Sequence, residues 1–172
     1  MNAMTGRPAA DPDRSAVSRE RFRQGMSRLG ASVTIVTTNG AAGRAGFTAS
    51  AVCSLSDAPP SLLVCLNRSA SVFETFAGND ALCVNVLAPE HEALSRLFGG
   101  QTPTPERFAA AEWRAGVSGA PALIGATAAF DCRIVDVSSF GSHDVLFCHV
   151  MDVHLHDVAA GLVYFDRRYH AV

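Results

Sequence analysis

Three strand-forming runs crowd into residues 32–66 with only turn residues between them. The first is Val33, Thr34, Ile35, Val36, Thr37 and Thr38, whose branching at Cβ favours an extended backbone. Asn39 and Gly40 then open a turn region that also holds Gly43 and Gly46. Residues 47–55 and 62–66 read as two further strands, parted by Asp57, Ala58, Pro59 and Pro60. A parallel pair needs a crossover of about a dozen residues or more, and there is no room for one here. The chain is committed early to antiparallel pairing.

The remainder fits the same plan. Residues 1–17, rich in Ala, Pro, Asp and Arg and without periodicity, read as a disordered tail. One domain follows, 18–172. Ser18 is placed to cap a helix that carries Phe22, Met26 and Leu29 on one face and stops at Gly30. Residues 72–76 suggest a short helix, 81–87 a strand and 89–98 a helix with Pro89 in its first turn. Residues 101–122 read as a long irregular connection anchored by Phe108 and Trp113. Residues 126–137 and 145–155 are long strands joined through 138–144, and 161–165 is the last strand. About seven strands with peripheral helices point to a mainly β barrel.

Composition narrows the chemistry. All 14 basic residues are arginine. Schiff-base catalysis, a lysine base and a Walker phosphate lysine are therefore excluded. Only 17% of residues are charged, against about 25% in an ordinary domain, which hints at a surface covered by a second copy. A net charge of -2 gives no reason to expect nucleic acid or an anionic membrane. Five cysteines with no C-x-x-C spacing argue against a disulfide framework or a zinc site and read as small buried hydrophobes. No apolar signal core or run of transmembrane length is apparent, so a cytoplasmic protein is expected.

Four segments could carry chemistry. Ser71, Val72, Phe73 and Glu74 fit a capping box, whose helix N-terminus would suit a phosphate beside Arg68 and Ser69. Gly46 to Ala51 alternate small and hydroxylated side chains, which would let a flat ring approach the backbone. Gly141, Ser142, His143 and Asp144 place a histidine in a turn at the barrel mouth. Residues 164–170 interleave aromatics with Arg167 and Arg168. His149, His154 and His156 lack supporting ligands, so no metal is expected. Neither a G-x-S-x-G elbow nor a G-x-G-x-x-G fingerprint is present, so any dinucleotide docks without a Rossmann fold.

Taken in order, residues 45–54 (Ala-Gly-Phe-Thr-Ala-Ser-Ala-Val-Cys-Ser) and 59–68 (Pro-Pro-Ser-Leu-Leu-Val-Cys-Leu-Asn-Arg) closely resemble the short-chain flavin reductases of two-component monooxygenases. Residues 82–85, 97–100, 107–108 with Trp113, 141–144 and 164–170 fit in the same register. The likeness spans about 22–170. Within the family, residues 42–54, 130–134, 143–148 and 165–167 look most like the FMN reductases of pyrimidine utilisation, although reductases serving 4-hydroxyphenylacetate hydroxylases share most of these motifs.

The resemblance implies an FMN-binding split β-barrel with Greek-key character, forming a homodimer with flavin sites at its interface. It implies NADH as reductant, FMN as acceptor, and reduced FMN passed to a flavin-dependent monooxygenase, here one that opens the pyrimidine ring. Thr48, Ala49, Ser50, Ala51 and Ser54 would line the isoalloxazine ring. Leu66 and Asn67 would offer backbone bonds, and Ser69 and Ser71 would meet the phosphate. His143 would position the nicotinamide, with Arg167 and Tyr169 finishing the pocket. A non-catalytic flavin- or haem-binding barrel, and an oxidase acting directly on an organic substrate, stay open as alternatives.

Overall fold

The computed structural model describes residues 17–172. Residues 1–16 of the expected tail lie outside them. Ser18 opens α1 (Arg19–Ser27), its hydroxyl accepting a hydrogen bond from the Arg21 amide at 3.2 Å. The helix ends at Ser27, short of Leu29 and of the expected stop at Gly30, and its apolar side chains are not buried. Phe22, Met26 and Leu29 are all exposed.

Twelve strands follow among the described residues. Seven form one antiparallel sheet: β2 (Thr34–Gly40), β3 (Gly43–Ala49), β4 (Val52–Asp57), β5 (Pro60–Asn67), β6 (Ala81–Val86), β9 (Ala128–Phe140) and β10 (His143–Leu155). Their spatial order is β3-β2-β6-β9-β10-β5-β4. β1 (Ala31–Ser32) pairs with β11 (Leu162–Phe165), which pairs with β12 (Arg168–Ala171). β7 (Trp113–Ala115) and β8 (Pro121–Leu123) make a small hairpin.

The order of the large sheet dictates its shape. β3 and β4 are its two outer edges, yet only Ser50 and Ala51 separate them in sequence. In a flat sheet seven strands wide the edges would stand about 29 Å apart. The link from Ala49 to Val52 can reach roughly 10 Å. The sheet must roll until its edges approach, and the Cys65 amide, donating to the Ala51 carbonyl at 3.0 Å, carries the β4–β5 ladder back into that link. The result is a barrel with an incompletely paired seam, the split barrel expected from the sequence.

Rolling gives the sheet two covered faces along β2. Val36 packs inward with Val64, Leu66, Phe76, Leu82 and Cys148. Ile35, one residue away and so on the opposite face, packs with Leu87, Leu94, Phe98, Phe108 and Leu123. Both are fully buried, which explains why this run is continuously apolar or β-branched rather than alternating. The second cluster is roofed by α3 (Glu92–Gly99), preceded by a 3₁₀ turn (Pro89–His91), and by α4 (Thr104–Ala109).

Several expectations are corrected. Residues 47–55 are not one strand, because β3 and β4 belong to opposite edges. Residues 101–122 are not an irregular connection but contain α4 and the β7–β8 hairpin. These short elements are held by tertiary contact: Phe98, Phe108 and Trp113 form a triangle with centroids 5.0 to 5.6 Å apart. The expected 138–144 connection shrinks to a turn at Gly141 and Ser142, with Gly141 at φ +58°. A final strand, β12, follows a turn in which Asp166 and Arg167 take φ of +46° and +62° with no glycine to announce it. The capping box at Ser71 does not form, since α2 (Phe73–Ala77) starts after Val72 with no side-chain cap. Of the cysteines, Cys83, Cys132 and Cys148 are buried, Cys65 is half-buried and Cys53 is exposed. All five are free. Burial pushes the Cys83 and Cys148 thiols up to about 12, so these are packing groups rather than nucleophiles.

Candidate active site at the barrel seam

The seam is where the fold leaves room. β3 pairs with β2 alone, so its outer main-chain groups have no strand partner. Beside it lies a cavity of about 400 Å³. Thr48, Ala49, Ser50 and Ala51 form one wall. Their side chains are small, so a planar ring could lie close to the backbone. Cys65, Leu66 and Asn67 at the end of β5, and Ala70, Ser71 and Val72 in the turn beyond it, form another. Phe98, Gly99, Gly100 and Arg107 close the far side.

That far side is fastened to β3 by two devices. Gly46 is one. A Cβ there would stand 2.7 Å from the Phe98 ring and 3.2 Å from the Val36 carbonyl, so only glycine lets the end of α3 come this close. Arg107 is the other. It is 4% exposed, and its guanidinium donates to four carbonyls: Thr102 at 2.6 Å, Gly100 at 2.8 Å, Gly46 at 2.9 Å and Phe98 at 3.3 Å. The planar fork of an arginine suits this, as a lysine would not. Burial lowers its pKa from the usual guanidinium value, yet it remains a cation at any ordinary pH. None of the ion pairs among the described residues involves it. Four of its five N–H groups are used. One N–H has no acceptor among the described residues, and the positive charge stands in the cavity's wall.

His143 stands at the rim, at the first position of β10, and is exposed. Its Nδ1 lies 2.9 Å from the Ser142 hydroxyl. It pairs across the ladder with Asn67. The Asn67 carboxamide oxygen accepts from both the amide and the hydroxyl of Ser69, each at 2.9 Å.

The structure thus brings together Thr48, Ala49, Ser50, Ala51, Leu66, Asn67, Ser71 and His143. It does not bring Ser54, Ser69, Arg167 or Tyr169 to the same cavity. Ser54 lies past the seam on β4 and lines a separate groove with Val52, Leu62 and Phe130. Ser69 turns toward Asn67 and lines a neighbouring hollow. Arg167 sits exposed in the β11–β12 turn. Tyr169 lines a smaller pocket of about 170 Å³ with Thr48, Ala49 and Ser50; its hydroxyl lies 2.8 Å from the Ser95 hydroxyl, and the Ser95 carbonyl accepts from Thr48 at 2.6 Å. Gly99, Gly100 and Arg107 enter the sequence analysis only as parts of family-like motifs; their place in the cavity wall escapes it, because no local pattern marks an arginine that only tertiary packing buries.

The model of the flavin reductase like domain matches residues 26–172. The chain belongs to this family. It is 62% identical over 153 residues to a Cronobacter sakazakii protein named FMN reductase (NADH) RutF, covering 89% of this chain and 92% of that one. Among solved structures, a Haemophilus somnus 129pt chain provisionally described as a flavin reductase superposes with a TM-score of 0.88 at 43% identity, covering 91% and 100% of the two chains. The NADH:FAD oxidoreductase SgcE6 of Streptomyces globisporus C-1027, solved in complex with NAD and FAD fragments, gives 0.82 at 26% identity, covering 94% of each. The flavin reductase fold is therefore shared over nearly the whole described chain.

If Arg107 fastens α3 and α4 to β3, Arg107→Met should cost about 3 kcal/mol of stability in urea titration, because four carbonyls lose their donor. Arg107→Lys should restore only part, since a point charge cannot serve four acceptors. Wild-type stability in Arg107→Met would contradict the assignment.

Proposed function

We propose that this chain is an NADH-dependent FMN reductase whose product, reduced FMN, leaves to serve a separate flavin-dependent monooxygenase. The observation that carries it is the seam cavity, with a wall of small residues opposite a buried, uncompensated guanidinium. Its volume of about 400 Å³ lies in the range of small-molecule sites. The fit to FMN is chemical as well. Thr48 to Ala51 offer a flat approach, the outer edge of β3 has no strand partner, and Arg107 offers a positive charge to an electron-rich ligand.

FMN, when bound, supplies the hydride acceptor. What the chain contributes is positioning and electrostatics. The Thr48–Ala51 wall holds one face of the ring, while Leu66 and Asn67 address its edge. Ser71 at the turn after β5 takes the phosphate end. Arg107 favours negative charge in the cavity, and its carbonyl bonds keep it from swinging away. His143, at the open rim, positions the nicotinamide and transfers no proton on which turnover depends. Nothing among these groups retains the flavin covalently, which agrees with a product that is handed on.

Further parts of the reading concern partners. The β9–β10 hairpin exposes Val135, Val137 and Phe140 toward its turn and Met151, Val153 and Leu155 toward its far end. The groove along β4 continues this apolar surface. We take a second copy of the chain as its cover, which accounts for the low charge content. The sequence likeness to reductases of pyrimidine utilisation supports a ring-opening oxygenase as recipient of the reduced flavin. Among the described residues no helix is long and apolar enough to cross a membrane, and a reductant of NADH type fits the cytoplasm.

Loss of absorbance at the NADH band should be rapid with FMN and slow without it, and NADPH, FAD and riboflavin define the preferences. His143→Ala should raise the NADH Michaelis constant several-fold and leave that for FMN unchanged. A folded, flavin-binding protein that oxidises no nicotinamide would overturn the reading in favour of a carrier. Sedimentation equilibrium should report twice the chain mass, whereas a monomer at micromolar concentration would leave the apolar strip unexplained.

A further inference from the structure

A larger hollow adjoins the seam cavity and is not used by the roles above. It measures about 780 Å³ and lies between α1 and the turns that end β5 and begin β10. α1 contributes Arg19, Phe22 and Arg23, the i, i+3 and i+4 positions of one helical face. Arg68, Ser69 and Ser142 stand opposite. Asn67 and His143 line both this hollow and the seam cavity, so the two are continuous at that pair.

The charge on its wall is one-sided. Arg19, Arg23 and Arg68 line the hollow, and no carboxylate does. Arg19 and Arg23 form no ion pair among the described residues. The one acid of α1, Glu20, lines a different surface with Ser18, Arg21 and Gln24. Arg68 is braced by the Gly141 carbonyl and stands 3.9 Å from Asp144, so it is held in place on the far wall. Like charges gathered around one space repel unless an anion joins them. Guanidiniums recognise phosphate oxygens through paired N–H groups. Between Arg19 and Arg23 stands Phe22, 56% exposed, an aromatic face on which a planar base can stack. Phosphate receptors on both walls with an aromatic ring among them describe a nucleotide site.

We propose that this hollow receives the ADP half of the dinucleotide reductant. Arg19, Arg23 and Arg68 hold the pyrophosphate, Phe22 receives the base, and the nicotinamide half passes His143 into the seam cavity. The inference rests on the NADH reading above. It gives a role to Arg19 and Arg23 on a helix with no buried residue, and to a chain without a Rossmann fingerprint a means of holding a dinucleotide.

The test is steady-state kinetics of the full chain with FMN and two reductants, NADH and reduced nicotinamide mononucleotide, which lacks the ADP half. Arg19 and Arg23 are exposed, so the Arg19→Ala/Arg23→Ala double variant should fold. Its Michaelis constant for NADH should rise about tenfold, the loss of roughly 1.4 kcal/mol of binding, with kcat and the FMN constant unchanged. With the mononucleotide, wild type and variant should behave alike. Lysine at both positions should recover most of the NADH affinity. An unchanged NADH constant, or an equal rise with both reductants, would overturn the proposal. A rise in the FMN constant instead would give the hollow to the flavin phosphate and overturn it too. Should wild type itself fail to oxidise NADH, the functional reading falls first, a result distinct from wild-type turnover that the double variant matches.

Discussion

Ser50 and Ala51 have to join the two outer edges of a seven-stranded sheet, and much of the molecule follows from that short link. Two residues cannot cross the width of a flat sheet, so the sheet rolls. Closure is incomplete, since β3 and β4 do not pair with each other. A seam with unpaired main-chain groups is normally a liability. Here a cavity lies along it, and the residues that make the link are also the wall of the site. The same constraint that shapes the core therefore places the chemistry.

Arg107 turns this geometry into a site of fixed shape. Its four carbonyl bonds tie the end of α3, the stretch leading into α4 and β3 to one planar group. A buried cation without a carboxylate is costly on its own. The carbonyl dipoles offset part of that cost, and a negatively charged or electron-rich ligand would offset more. Gly46 has a complementary part, since its missing side chain is what lets Phe98 approach. Stability and ligand preference thus share the same few contacts.

Much of this is legible in the sequence. The β-branched run at 33–38, the closely spaced turns and the absence of crossovers point to an antiparallel barrel, and the small residues from Thr48 to Ala51 mark the wall. What stays hidden has physical causes. The break at Ser50 is invisible because both sides of it have strand propensity, and only the sheet order separates them. The β11–β12 turn carries positive φ at Asp166 and Arg167 without a glycine. α4 and the β7–β8 hairpin are too short for periodicity and rely on the Phe98, Phe108 and Trp113 contacts. Local spacing at Ser71 reads as a capping motif, but the chain turns once more before α2 begins. Likeness alone assigns Ser54 to the site, and the bend at the seam carries it to the other groove.

Whether the seam cavity is the flavin site is tested most directly by a crystal structure of the chain with FMN. The isoalloxazine ring should lie against Thr48 to Ala51, with Arg107 within hydrogen-bonding reach of the ligand. Flavin bound in the groove along β4, or elsewhere with the seam cavity left to solvent, would contradict it.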